Sequence, residues 1–366
     1  MSNSNHIIVY PIANLKLDVS IKQQLWIENV HIIDKILLSR NIKKYGFPWT
    51  FYELKAILKN KPQADIKFKH IKEIFRQDGE YKNIKTYALI RVAGDDQKSI
   101  SEGFARFRDI LYLLASSQFG NKFRGNIIRF GSPENVAMIL DRYLLIPSTK
   151  GESLYRASVW RTSPVRHYVL GQRWKELTRS HFFPSLLKIL NKEINVNSNW
   201  RLDLKKAAIL AGRSVLSKEI PLSFLYNMIA IETILKKQGE SYEKVVPERL
   251  NFIFGWLYND KPRGYEIIKN RISHLYSLRN KFVHDGQMLN VEIEDLLETD
   301  YILSNLLSNF CRLTKYFINK ETVINLCGRA EAKRFLGLKI KRFKGLRSLR
   351  QQYTLRHLTK IKEKGI

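Results

Sequence analysis

From residue 205 onward the apolar side chains recur at helical spacing, in stretches separated only by short connections. That pattern constrains the fold more than any other feature, because amphipathic helices joined by short turns must bury their apolar stripes against one another. The spacing predicts five helices, over 205–217, 222–238, 246–258, 264–285 and 290–320, packed as a bundle. Pro221 precedes the second, where a missing N–H is harmless. Asp285 and Gly286 follow the fourth, where glycine suits the left-handed cap that ends many helices.

The first 205 residues mix two periodicities. "HIIVYPI" (6–12) and "TYALIRVAG" (86–94) read as short β-branched strands, whereas "SISEGFARFRDILYLLASSQFG" (99–120) places Phe104, Phe107, Ile110, Leu111 and Leu114 on one helical face before Gly120. "FGSPENVAMILDRYLL" (130–145) has a Ser-Pro helix start. Between 156 and 184, Arg156, Trp160, Arg161, Arg166, His167, Tyr168, Arg173 and Trp174 interleave cations with rings; such residues either stack bases and pair phosphates or form an aromatic core with solvated arginines. The expected architecture is an α+β domain over 1–205, an all-α helical bundle over 206–320 and a basic amphipathic helical tail over 321–366.

Charge bears on partners. The 366 residues carry 63 Lys and Arg against 34 Asp and Glu, a net +29, and such a surface attracts polyanions, nucleic acid first among them. From Arg329 to Ile366 thirteen Lys or Arg face two Glu, so +11 sits in the tail. Lys339, Lys341, Arg342, Lys344, Arg347 and Arg350 are therefore candidate nucleic-acid contacts, together with Lys281. A helix of this kind can also lie on an anionic membrane or an acidic partner, or pack back on its own domain. Cys311 and Cys327, the only cysteines, form no CxxC or Cys/His pattern, which argues against a disulfide framework or zinc ribbon. The N-terminus lacks the pattern of a signal peptide and no apolar run reaches membrane-spanning length, so a cytoplasmic protein without a membrane partner is expected. No Walker-type loop appears, and no metal or cofactor is expected.

One residue breaks the apolar pattern. At about 100° per residue, Ile268, Ile272, Leu275 and Phe282 fall within about 40° of one direction, and Arg279 lies in the middle of them. A guanidinium there is costly unless an acceptor meets it. On the helix 222–238 the apolar face reads as Leu225, Met228, Ile229 and Leu235, and Glu232 falls about 20° from Leu225. Glu232 and Arg279 are thus expected to pair, either as a tie that sets helix register or as part of a site; a guanidinium can also snorkel to water near a helix end. His284 lies about 140° around the helix from Arg279, so the two converge only if the helix ends or distorts near "HDG", or if a second copy supplies its histidine in a symmetric dimer. Asn280 shares the side of His284. His274, like His31, His70, His167, His181 and His357, has no ligand spacing and reads as a packing or surface residue.

The string "RNKFVH" (279–284), an Arg with Asn directly after it and a His after four intervening residues, resembles the signature of the HEPN superfamily of small helical bundles. The stretches "AIETIL" and "PERLNFIFG" look most similar to its Apea-like branch, over roughly residues 205–320. Asp285 stands where a small residue often follows the histidine. The resemblance implies a dimeric, metal-independent endoribonuclease of the kind found in toxin and abortive phage-defence systems, with RNA as substrate and a homodimer formed through the bundle. Arg279 and His284 would be its catalytic pair, with Asn280 beside them and Glu232 in support. The roles suit the chemistry. RNA carries its own nucleophile in the 2′-hydroxyl, and an imidazole of pKa about 6.5 moves protons near neutrality. An arginine fork matches phosphate and stabilises charge in the transition state. Two other readings stay open: a non-catalytic bundle of this type that binds RNA, a nucleotide or a protein, and a basic DNA-binding protein.

Overall fold

The computed structural model describes residues 6–40, 84–94, 97–120, 127–131, 144–147, 167–172, 174–257, 262–285 and 291–338. The chain divides into two compact units, residues 1–111 with 128–175, and residues 112–127 with 176–366.

The first unit is built on a five-stranded sheet. β1 (His6–Ile12) lies between β5 (Thr86–Val92) and β6 (Leu144–Pro147), and β4 (Val30–Asp34) joins β5 to β3 (Gln24–Ile27), giving the order β3-β4-β5-β1-β6 with every neighbouring pair antiparallel. β1 is buried at all seven positions, which explains its unbroken apolar run in place of alternation. β2 (Leu15–Leu17) pairs in parallel with β7 (Tyr168–Leu170), and α1 (Lys35–Arg40) follows β4 directly. α2 (Gln97–Ser116) lays the predicted face on this sheet up to Leu111. Tyr10 stacks on Phe107 at 4.3 Å and meets the edge of Phe104 at 5.1 Å. A Cβ at Gly103 would collide with the Ile8 side chain, so the glycine sets how closely helix and sheet approach.

Both strands read from the sequence are present, and the helix before Gly120 is too, with that glycine at φ 72°. The helix start expected at Ser132 and Pro133 lies outside the described part, as do residues up to 143, and Leu144 and Leu145 at the end of that stretch belong to β6. Arg156, Trp160, Arg161, Arg166 and Arg173 also lie outside it. Of the same cluster, Tyr168 is buried and stacks on Phe130 at 5.7 Å, which is a core contact.

The second unit is helical. α3 (Trp174–Ser180), which enters this unit at Glu176, and α4 (Phe182–Leu190) lead into α5 (Ser198–Leu216), α6 (Ile220–Leu235) and α7 (Tyr242–Leu250). A π-helical stretch, Asn251–Leu257, continues α7, and α8 (Pro262–Asp285), α9 (Ile293–Arg312) and α10 (Lys320–Phe335) follow. A three-residue turn joins α5 and α6, where Ser214 and Ser223 each donate to the other's carbonyl at 3.0 Å. Asn227 on α6 donates to Thr299 at 3.0 Å and Asp300 at 2.7 Å on α9, a buried polar tie inside the apolar packing. Trp200, Phe224 and Phe310 fill the core, and Trp200 Nε1 donates to the Phe317 carbonyl at 2.9 Å.

Several expected boundaries shift. α7 begins at Tyr242 and carries Pro247 inside it. α9 ends at Arg312, and the chain turns before α10. α10 is seated on the bundle through Val323, Cys327 and Ala330, while Phe335, Leu336 and Leu338 are exposed. Lys339, Lys341, Arg342, Lys344, Arg347 and Arg350 lie outside the described residues.

Candidate functional site

α8 runs unbroken from Pro262 to Asp285 and buries Ile272, Leu275, Tyr276, Leu278 and Arg279. Arg279, 8% exposed, is among the core side chains as its place in the stripe requires. Its Nε and Nη2 donate to the two carboxylate oxygens of Glu232 at 3.1 and 3.2 Å, a fork-to-fork pairing of α8 with α6. The expected pair therefore forms. The placement of Glu232 differs: α6 buries Phe224, Asn227, Met228, Ile231, Ile234 and Leu235, while Leu225, Ile229 and Glu232 lie at the border of that face.

The first turn of α7 covers the pair. Tyr242 lies with its ring centroid 3.9 Å from the Arg279 guanidinium carbon, a cation–π contact, and Lys236 Nζ is 5.7 Å from the same ring. The next residue, Glu243, accepts from Asn280 Nδ2 at 3.2 Å. Adjacent residues of α7 thus meet adjacent residues of α8.

The cluster is not saturated. Arg279 Nη1, the Tyr276 hydroxyl and Asn280 Oδ1 are buried and have no hydrogen-bond partner among the described residues. Burial raises the Glu232 carboxyl above its usual range, against the pull of Arg279 and Lys236. Burial also raises the Tyr276 phenol well above its usual value, helped by the Glu232 charge, so it stays an O–H donor.

No family model matches the chain, and no curated protein or solved structure matches it either.

Of the residues singled out by sequence, Glu232 and Arg279 are in contact, Asn280 lies beside them on Glu243, and Lys281 is exposed on α8. The side chains of His284 and Asp285 lie outside the described part, but the backbone of both is helical. A helix end or distortion before the histidine is therefore corrected. On a continuous helix positions 279 and 284 are about 140° apart around the axis.

Sequence reasoning missed Tyr242, Glu243 and Tyr276. Only Tyr276 carried a signal, standing three residues before Arg279 in the buried stripe. A second buried fork was missed as well: Arg249 donates to both oxygens of Glu240 at 2.7 Å and to the Leu235 carbonyl. Glu240 is held below its usual range by those bonds. Arg249 is thereby engaged in closing the end of α6, in contrast to Arg279, which keeps a terminal nitrogen unpaired.

Other titratable groups have structural work. His274 meets Asp295 Oδ1 at 3.1 Å, and Arg271 reaches the same oxygen at 3.1 Å, while Asp295 Oδ2 accepts from the Glu292 N–H in a capping box at the start of α9. His181 caps α4, its Nδ1 accepting from the Phe183 N–H at 3.1 Å and its Nε2–H donating to the Phe119 carbonyl at 2.8 Å. Burial lowers the imidazole to about 4. Cys311 and Cys327 are buried, which raises both thiols and pushes Cys327 up to about 12, so neither is a nucleophile. Among the described residues no group of three or more His, Cys, Asp or Glu is placed to hold a metal ion, and no helix is long and apolar enough to cross a membrane.

Proposed function

We propose that the helical unit is a metal-independent endoribonuclease of HEPN type, acting as a toxin or phage-defence effector in the cytoplasm. The observation that carries this reading is Arg279 itself: a buried guanidinium aligned by a bidentate carboxylate, with one terminal nitrogen left over, on the helix that presents "RNKFVH". A guanidinium used only as a tie would be expected to find acceptors for all its buried donors, as Arg249 does for both of its terminal nitrogens.

In the proposed reaction the 2′-hydroxyl of RNA loses its proton to an imidazole and attacks the adjacent phosphorus. The P–O5′ bond breaks, the departing 5′-oxygen takes up a proton, and the products are a 2′,3′-cyclic phosphate and a 5′-hydroxyl. Arg279 meets the charge on the phosphoryl oxygens, Glu232 fixes its plane, and His284 moves the proton. Positions 279 and 284 are about 140° apart on one unbroken helix, which favours a composite cleft in which two copies of the chain pair through the bundle and each lends its histidine to the other's arginine. Net charge of +29 favours the encounter with RNA.

The test is incubation of the full chain with an RNA and the matching DNA in EDTA, beside His284→Ala and Arg279→Ala. RNA-only cutting, cyclic-phosphate ends and loss of activity in both variants are expected. Mixing the two inactive variants should restore part of the activity, since a mixed dimer holds one intact composite cleft. Binding without cutting would replace this reading with a non-catalytic RNA-binding bundle, and equal binding of DNA would point to a general nucleic-acid binder.

A further inference from the structure

The residue that the proposed reaction leaves unexplained is Tyr276. It is 4% exposed, its hydroxyl has no partner among the described residues, and it precedes Arg279 by one helical turn. A buried hydroxyl without a partner is destabilising, and a phenylalanine would fill the same volume without that penalty. Nearby, Arg279 Nη1 is a second buried donor in the same condition. Two unpaired donors on one stripe of one helix, one of them cationic, are suited to an oxygen that carries negative charge.

We infer that the Tyr276 hydroxyl and Arg279 Nη1 together form a subsite for a phosphoryl oxygen. The inference rests on the ribonuclease reading for the identity of its ligand, an RNA phosphodiester, but not for the anion chemistry. Glu232 takes Nε and Nη2 of the guanidinium, and among the described residues nothing takes Nη1. Lys236, at the end of α6, adds a second positive charge beside Tyr242. Tyr242 is the cover of this subsite. It is half-buried on the first turn of α7, and it lies on the guanidinium face where a base would stack. A phosphate that reaches Nη1 displaces the Tyr242 ring or slides beneath it, and the exposed Glu243 leaves Asn280 with the same movement. Tyr276 is then a binding and positioning residue: it donates a hydrogen bond to the phosphoryl oxygen and exchanges no proton with it.

Tyr276→Phe separates this role from packing, because the two predict opposite signs. The full chain is melted with and without inorganic phosphate, and its affinity for a 2′-O-methyl oligoribonucleotide, which lacks the nucleophile, is measured by fluorescence anisotropy. The expected result is a Tm at or above that of the parent protein without phosphate, a smaller rise in Tm when phosphate is added, and about tenfold weaker oligonucleotide binding, the loss of one hydrogen bond to a charged group. Tyr242→Ala, which uncovers the guanidinium, is expected to enlarge the phosphate-induced rise. A lower Tm for Tyr276→Phe with an unchanged phosphate response would overturn the proposal, since the hydroxyl would then be bonded within the protein. An unchanged Tm and unchanged affinities would overturn it too. If the parent protein cuts no RNA but Tyr276→Phe weakens phosphate binding, the subsite stands and the nuclease falls. If RNA cutting depends on Arg279 while Tyr276→Phe leaves phosphate binding intact, the nuclease stands and the subsite falls.

Discussion

Removing either member of the Glu232–Arg279 pair should cost very different amounts, and the asymmetry follows from burial. Two charge-assisted hydrogen bonds of 3.1 and 3.2 Å join the side chains, which are 12% and 9% exposed. At about 1.5 kcal/mol per bond their combined contribution is about 3 kcal/mol. In Glu232→Leu the guanidinium stays charged at any accessible pH and faces the core without its acceptor, so the full amount of about 3 kcal/mol, or somewhat more, is lost. In Arg279→Met the carboxylate has an escape, because burial already raises its pKa and protonation removes the charge. That variant should lose about 1–2 kcal/mol at neutral pH and recover part of it in mild acid. The double variant should lie closer to the parent protein than the sum of the singles by about 2 kcal/mol, since an apolar pair of similar volume fills the space without desolvated charge. Urea unfolding followed by helical circular dichroism at two pH values measures all four proteins. Additivity within about 0.5 kcal/mol would refute the argument, because groups in contact through two buried bonds cannot be independent. RNA cleavage by the double variant should be absent even where its stability is restored, which distinguishes a reacting arginine from one that only sets register.

Two further outcomes test the packing. His181 is buried as a neutral ring with a pKa lowered to about 4, whereas the unfolded chain takes up that proton near pH 6.5. Its contribution is therefore complete above about pH 6.5 and is lost as pH falls from there toward 4, by about 3 kcal/mol in total. His181→Asn, which keeps a capping acceptor, should flatten that slope in the helical unit; His31, also lowered to about 4 by burial, leaves the first unit with a slope of its own. Two helical glycines should respond in opposite directions. Gly212→Ala places a Cβ against the Tyr112 backbone carbonyl and should lower stability by about 2 kcal/mol, while Gly328→Ala meets nothing within 4 Å and should raise it by up to about 1 kcal/mol. Thermal unfolding of the two variants side by side checks both.

The parts of this architecture that announced themselves did so through strong periodicity. β1 and β5 bury the apolar residues their patterns mark, α2 buries Phe107, Ile110, Leu111 and Leu114 with Phe104 at the border of that face, and the stripe on α8 places Arg279 in the core as its spacing requires. α6 was harder to orient. "IPLSFLYNMIAIETIL" is apolar on nearly every side, so its sequence cannot say which side faces α9, and Asn227, a polar residue in an apolar run, turns out to face inward because Thr299 and Asp300 receive it. The start of α7 was hidden by Pro247, whose usual place is the first turn of a helix, although Tyr242–Leu250 continues through it. That misplacement concealed Tyr242 and Glu243, the two residues that cover Arg279 and Asn280. The contacts are 37 residues apart in sequence for Asn280 and Glu243, and no local pattern encodes a meeting at that distance.

Lys320, at the first position of α10, donates to the carbonyls of Thr233 and Lys236 at 2.8 and 2.9 Å and meets Asp203 at 2.7 Å. Those carbonyls belong to the open end of α6, the helix that carries Glu232, so an ammonium group from far along the chain serves as its stopper. Lys320, immediately before the segment read as a tail, and the buried face of α10 that follows it thus belong to the framework of the bundle. A deletion meant to test the positive charge of Lys339 to Arg350 should begin beyond Leu338; one that begins at residue 320 would unseat the carboxylate that aligns Arg279, and would make a collapsed scaffold look like a missing nucleic-acid contact.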